Sequence, residues 1–212
     1  MGPVTATIDG LDVADPVEAW TRAGFTVGPN AVCRIGDVRV RLLGSGRGHG
    51  IVGWSLDGLP DDSIHDLDGI PMTRSLVVGT NPVGHPNGVT GIDHVVLMSP
   101  DLGRTVRSLA AIGVDPRRER DADLGGRRIR QIFFRFGGVI VEVVGSPETA
   151  IEGASTLWGI TYLVADIDET AAFFGDHTAP IKDAVQTGRR ITTLRHREFG
   201  MTVRTAMISA SR

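Results

Sequence analysis

Cysteine, lysine and tyrosine each occur once in this 212-residue chain, as Cys33, Lys182 and Tyr162. A single cysteine excludes an intrachain disulfide and any cysteine-cluster metal site. A single lysine leaves one candidate for Schiff-base chemistry, with no partner evident beside it in sequence. No apolar run approaches the ~20 residues of a membrane-spanning helix. The opening MGPVTATIDG lacks the basic and apolar regions of a secretory signal, and Ala6 stands where a myristoylation signal needs Ser or Thr. The expectation is therefore a cytoplasmic protein that does not engage membrane. Strong charge is missing too. With 22 basic and 25 acidic residues the net charge is -3, which gives no global field for nucleic acid. There is no GxSxG elbow for a serine nucleophile. The one GxGxxG match, Gly48 to Gly53, runs into the strand-like IVGWSL, whereas a phosphate cradle needs a helix there.

What is present is a globular composition, 41% hydrophobic and 22% charged, whose basic residues are almost all arginine. Guanidinium suits carboxylate or phosphate pairing better than proton transfer. The densest charge, RRERDADLGGRRIRQ (117–131), is interrupted by Asp121 and Asp123 and reads as a charged hairpin with solvated faces. Cys33, within NAVCRIGDVRV, is expected on a strand as a small core residue.

An internal repeat organises the second half of the chain. IDHVVLMSPDLGRTVRSLA (92–110) aligns with LWGITYLVADIDETAAFFG (157–175). Asp101 and Asp166 coincide as candidate helix caps. Leu102, Val106 and Leu109 then match Ile167, Ala171 and Phe174, one apolar helix face at i, i+4 and i+7. Further on, GRRIRQIFFRFGGVIVEVVG (126–145) aligns without a gap with GRRITTLRHREFGMTVRTAM (188–207). Each copy, roughly sixty residues long, reads strand, helix, strands. A weaker echo precedes them. IDGLDVADPVEAWTRAGF (8–25) gives a strand, a cap at Asp15 and a short helix. AVCRIGDVRVRLLG (31–44) gives two strands, and IVGWSLDGL (51–59) a strand with a helix start. Residues 60–90 read as a truncated module followed by a linker at 79–89.

Paired strand–helix–strand–strand–strand modules, opening with IDHVVL…D and closing with GVIVEVVG, resemble the vicinal oxygen chelate superfamily of glyoxalase-like, bleomycin-resistance-like and extradiol dioxygenase proteins. The resemblance is good over 91–210 and faint over 1–60. It implies an α+β fold in which paired βαβββ modules curl a mixed sheet into a cup. The expected division is a reduced N-terminal module region with linker (1–90) and a glyoxalase-like domain (91–212), built from modules 91–146 and 157–210. The resemblance also implies a frequent homodimer and, in metal-dependent relatives, a divalent ion (Zn, Fe, Mn or Ni) held by the first and last strands of each module.

His94 and Glu142 match two of those metal positions. In the second module the gap-free alignment puts Gly159 at the place of His94 and Arg204 at that of Glu142. Half a ligand set is too little for a retained metal, and a guanidinium would repel one. Gly159 is expected to leave room for a ligand, and Arg204 to meet Glu142 or an anionic group. Arg190 and Arg195, an odd number apart on one strand, point to opposite faces, so at most one enters the cup. His196 could line the cup from the same strand. Trp20, Trp54 and Trp158 read as core. Three readings of His94 stay open: a structural histidine bonded within the cup, a contact for an organic ligand with Glu142, or half of a metal site. The expected function is binding of a small, mostly apolar organic molecule without metal. One alternative is a metal-dependent lyase, isomerase or dioxygenase using His94 and Glu142. The other is a structural or dimerising module with a filled cup.

Overall fold

The computed structural model describes residues 6–59, 65–74 and 83–210. Four strand-led modules follow one another along the chain. The first is β1 (Thr7–Val13), α1 (Val17–Arg22), β2 (Val27–Gly28), β3 (Val32–Ile35) and β4 (Val38–Leu42), with β1 and β4 parallel. The second is β5 (Ile51–Asp57), β6 (Asp66–Leu67) and β7 (Ile70–Arg74), with β5 and β7 parallel and no helix among its described residues. The helix start expected after IVGWSLDGL is thus not seen there: β5 runs to Asp57, and residues 60–64 lie outside the described residues.

The third module is β8 (Val89–Met98), α2 (Leu102–Ala111), β9 (Pro116–Leu124), β10 (Arg127–Phe136) and β11 (Val139–Gly145). The fourth is β12 (Thr156–Val164), α3 (Ile167–Phe174), β13 (Lys182–Asp183), β14 (Arg190–Thr193) and β15 (Arg204–Ser209). In each, the first and last strands are parallel. First strands pair antiparallel, β1 with β5 and β8 with β12, and β5 meets β12 at Ile51 and Leu157, so all of these modules share one curled sheet. This is the α+β arrangement that the resemblance implies.

Local chemistry explains the elements. The Asp101 carboxylate accepts from the Arg104 amide (2.9 Å), and that of Asp166 from the amides of Asp168 (2.8 Å) and Glu169 (3.0 Å). Each cap is worth about 1 kcal/mol. Strand alternation sends Val95, Leu97, Val141 and Val143 into the core with Leu109 of α2. Their neighbours His94, Val96, Ile140 and Glu142 take the opposite, cup-facing side and stay partly accessible. Each fully buried large aliphatic side chain contributes about 1.5–3 kcal/mol.

Asp15 does not cap α1, whose N-cap is Pro16 without a side-chain bond. Its buried carboxylate instead accepts from Trp20 Nε1 (3.0 Å), the Thr202 amide (2.8 Å) and the Thr202 hydroxyl (2.5 Å), pinning the first module to the fourth. Asp68, at the β6–β7 turn with φ of 55°, accepts from Arg104, Thr105 and Ser155 and ties the second module to α2. The described part of the expected linker is likewise anchored. His85 Nδ1 accepts from the Thr26 amide (3.1 Å), and its Nε2 donates to the Arg34 carbonyl (2.9 Å). Burial lowers the His85 pKa, consistent with a neutral, structural imidazole.

Candidate functional site in the C-terminal cup

The site begins with an irregularity in β8. Thr161 pairs with His94 and Tyr162 with Ile92, so Asp93 is an extra residue on its strand. Such a bulge re-aims side chains that strict alternation would send to opposite faces. Here it brings consecutive side chains together: the Asp93 and His94 side chains are 2.8 Å apart at Oδ2 and Nδ1. Arg189 Nη2 lies 2.7 Å from Asp93 Oδ1 and is itself fixed by its Nε bond to the Ser209 carbonyl (2.7 Å). Burial favours the protonated acid, but the hydrogen bonds from His94 and Arg189 outweigh it and hold Asp93 below the ordinary carboxylate range. An ionised Asp93 only accepts, so Nδ1 of His94 carries a proton. In the neutral ring, Nε2 then offers a lone pair.

Nε2 of His94 lies 3.6 Å from Glu142 Oε2, close but beyond a direct hydrogen bond. Glu142 stands on β11 opposite Phe133 of β10. Its other oxygen accepts from the Gln131 amide nitrogen. The Gln131 carbonyl in turn accepts from Arg120 Nε (2.5 Å), which fixes which end of the amide faces Glu142. Arg118 and Arg120 share one face of β9, opposite Phe133 and Gln131, and their guanidinium carbons sit 5.3 and 5.7 Å from the centre of the Phe133 ring. These groups border a cleft of ≈ 560 Å³ closed on its far side by β13, the turn after it, and Ile191 of β14.

The expected residues fall into two sets. His94 and Glu142 meet in the cleft. The others do not line it. Arg190 leaves on the helix side and pairs with Asp168 of α3 (2.5 Å). Arg195 is exposed at the edge of a short 3-10 turn near Glu198 (3.9 Å). His196 lies in that turn rather than on β14. Arg204 stacks on Trp158, its guanidinium carbon 4.6 Å from the ring, and among the described residues no ion pair joins it to Glu142. Trp158 is itself not core: it is the extra residue of a bulge between Leu157 and Gly159 and is 46% exposed.

Register explains the error over Arg204. Ile140 is opposite His94, and Arg204 is opposite Gly159. Two residues further on, Glu142 is opposite Val96 and Ala206 is opposite Thr161, so Ala206 occupies the place of Glu142. Nor does Gly159 open space. A Cβ there would stand 2.8 Å from the Arg204 carbonyl oxygen and 3.1 Å from its Cβ. Sequence reasoning passed over Asp93, Arg118, Arg120, Gln131 and Ile191. The legible signals were an Asp–His dipeptide inside an apolar strand and two arginines at i and i+2 within the charged hairpin.

Four strand-led modules paired on one curled sheet, three of them βαβββ units, have the arrangement of the vicinal oxygen chelate fold. Solved structures carry the same conclusion. A variant of 4-hydroxymandelate synthase from Streptomyces coelicolor superposes with a TM-score of 0.63 at 16% identity, covering 97% of this chain and 92% of its own. A catechol 2,3-dioxygenase superposes at 0.60 with 12% identity, covering 100% and 90%. A fusion of a xylose isomerase-like TIM barrel with 4-hydroxyphenylpyruvate dioxygenase gives 0.61 and 14%, with 98% of this chain on 49% of that one. At such identities the likeness concerns the fold. No family profile matches the sequence, and no curated protein matches it.

Many proteins of this fold hold a divalent metal, and the donor set here can be tested against that. His94 and Glu142 are two donors. The corresponding places in the fourth module are Gly159 and Ala206, which have none. Gln131 turns its NH2 group, not its oxygen, toward Glu142. Among the described residues no three His, Cys, Asp or Glu side chains converge as a metal site. A retained catalytic metal normally has three protein ligands, and this donor set does not fit one.

Proposed function

We propose that the protein binds a small organic molecule in its C-terminal cup without a resident metal. The observation that carries this reading is the open cleft itself. Phe133, Ile140 and Ile191 supply apolar wall, while the polar groups at its base are already oriented by protein partners. Pre-oriented polar groups on an apolar wall are what small-molecule sites have in common. We further propose, as its resemblance implies, that the protein is a homodimer, which light scattering checks.

The test has two parts. Elemental mass spectrometry of protein purified without chelator or histidine tag is expected to find far less than one metal per chain. Near-stoichiometric Zn, Fe, Mn or Ni would replace this reading with the metal-dependent alternative. The neutral dye N-phenyl-1-naphthylamine should gain fluorescence on the native protein and lose that gain in Ile191→Trp, which fills the cup. No uptake would favour a filled, structural module. A second reading, a metal-free acid–base enzyme, is favoured by the Asp93–His94 pair, since a carboxylate on Nδ1 leaves Nε2 facing the cleft as a base.

A further inference from the structure

Cations outnumber carboxylates around the cleft. Arg117, Arg118, Arg120 and Lys182 border it with Asp183 and Glu142, and among the described residues no carboxylate pairs with any of the four cations. The contrast on the same hairpin is instructive. Arg128 and Arg130, on the other side of β10, are both paired with Asp121, whose pKa their hydrogen bonds pull down to about 2. The hairpin thus satisfies its outer cations internally and leaves the cleft-lining ones free. Phe133 gives Arg118 and Arg120 a common platform, and the Gln131 carbonyl fixes Arg120 at Nε, leaving both terminal nitrogens for another partner.

The other end of the cleft has the opposite character. Oε2 of Glu142 and Nε2 of His94 are 3.6 Å apart with no hydrogen bond between them; the carboxylate oxygen accepts, and so does Nε2 in the neutral ring whose proton sits on Nδ1. A single donor placed between them would satisfy both. One side of the cleft therefore asks for an anion and the other for a donor, with the Gln131 amide bridging Arg120 to Glu142 and Phe133 and Ile140 in the lining.

We infer that the cleft takes a bipolar organic acid, its anionic group held by Arg118 and Arg120, its hydroxyl or amino donor placed between Glu142 and His94, and its apolar body laid against Phe133 and Ile140. This rests on the reading of the cup as a small-molecule site and adds the ligand class. Guanidinium–carboxylate contacts fix the anionic end, and the acceptor pair rejects analogues that lack the donor, because two desolvated acceptors would then go unmet.

Displacement of N-phenyl-1-naphthylamine by a matched set tests it: 3-(4-hydroxyphenyl)propanoate, 3-phenylpropanoate without the donor, and 4-ethylphenol without the anion. The hydroxy acid is expected to bind at least about tenfold more tightly than either partner, the equivalent of one charge-assisted hydrogen bond. Arg118→Ala with Arg120→Ala should abolish the advantage over 4-ethylphenol and keep the advantage over 3-phenylpropanoate. Glu142→Leu should do the reverse. Circular dichroism checks that the variants fold, and Arg120→Lys, which keeps charge, should restore part of the anion preference. Equal displacement by all three probes, or variants that change every probe alike, would overturn the bipolar assignment and leave the binding reading standing. Dye uptake with no displacement by any of them would overturn it too. Absence of dye uptake would remove the binding reading itself.

Discussion

Replacing Asp15 with alanine should destabilise the whole fold while leaving the cup's residues untouched. The carboxylate is fully buried and accepts three hydrogen bonds, one from Trp20 within its own module and two from Thr202 in the fourth. Alanine strands the Trp20 indole N–H in the core and leaves the half-buried Thr202 amide without its acceptor. Each buried donor left unmet costs about 1–3 kcal/mol, partly offset because a carboxylate no longer has to be desolvated. A net loss of about 3–4 kcal/mol results, which for a chain of this size lowers Tm by roughly 6–16 °C. Asp15→Asn keeps one acceptor oxygen and should cost about half as much. Thr202→Val, which removes only the hydroxyl that also accepts from the Gly50 amide (2.6 Å), should be partly redundant with Asp15→Ala in a double-mutant cycle. Urea unfolding followed by tryptophan fluorescence, with Trp20 as an internal reporter, measures all three. A loss below about 1 kcal/mol for alanine, or strict additivity with Thr202→Val, would refute the view that Asp15 pins the two modules together.

Three further outcomes follow from the geometry. Ala206→Glu, at the register position of Glu142, should raise Zn or Mn affinity in calorimetric titration, and Arg204→Glu should not, because Arg204 lies against Trp158 outside the cleft. Asp93 is held below the ordinary carboxylate range, so its contribution is present above the unfolded-state pKa and disappears as pH falls through the folded value. Thermal unfolding from about pH 5 to about pH 2 should show a loss of stability that Asp93→Asn blunts. Burial pushes the Cys33 thiol up to about 12, so Ellman's reagent should leave it unmodified until denaturant is added.

Much of the fold was legible because the signals were local. Asp101 and Asp166 followed by apolar side chains at helical spacing marked the same strand–cap–helix unit twice, and both carboxylates do cap. The pairing of distant strands was less legible. The gap-free match of 126–145 to 188–207 joins Glu142 to Arg204. Yet β10 and β11 connect through Gly137 and Gly138 alone, whereas β14 and β15 are joined by residues 194–203 with a 3-10 turn between them. That difference slides the register by two, which preserves the face and changes the residue. For the site, His94 and Glu142 stood out as polar side chains among valines. Their fixing partners Asp93, Gln131 and Arg189 did not, because hydrogen bonds across strands leave no mark in spacing. Asp15 misled for the opposite reason: a residue well placed for a local cap found better partners across the fold.

The extra residue at Asp93 has an evolutionary consequence. A strand normally exposes one side chain to a cup for every two residues, so the next functional group on that strand stands two residues away. One added codon places two adjacent groups in reach of each other, and Val95 and Val96 beyond it still pair with Ile160 and Gly159. A wall of this fold can therefore gain or lose an acid–imidazole couple by insertion or deletion of a single residue, without repacking the core behind it.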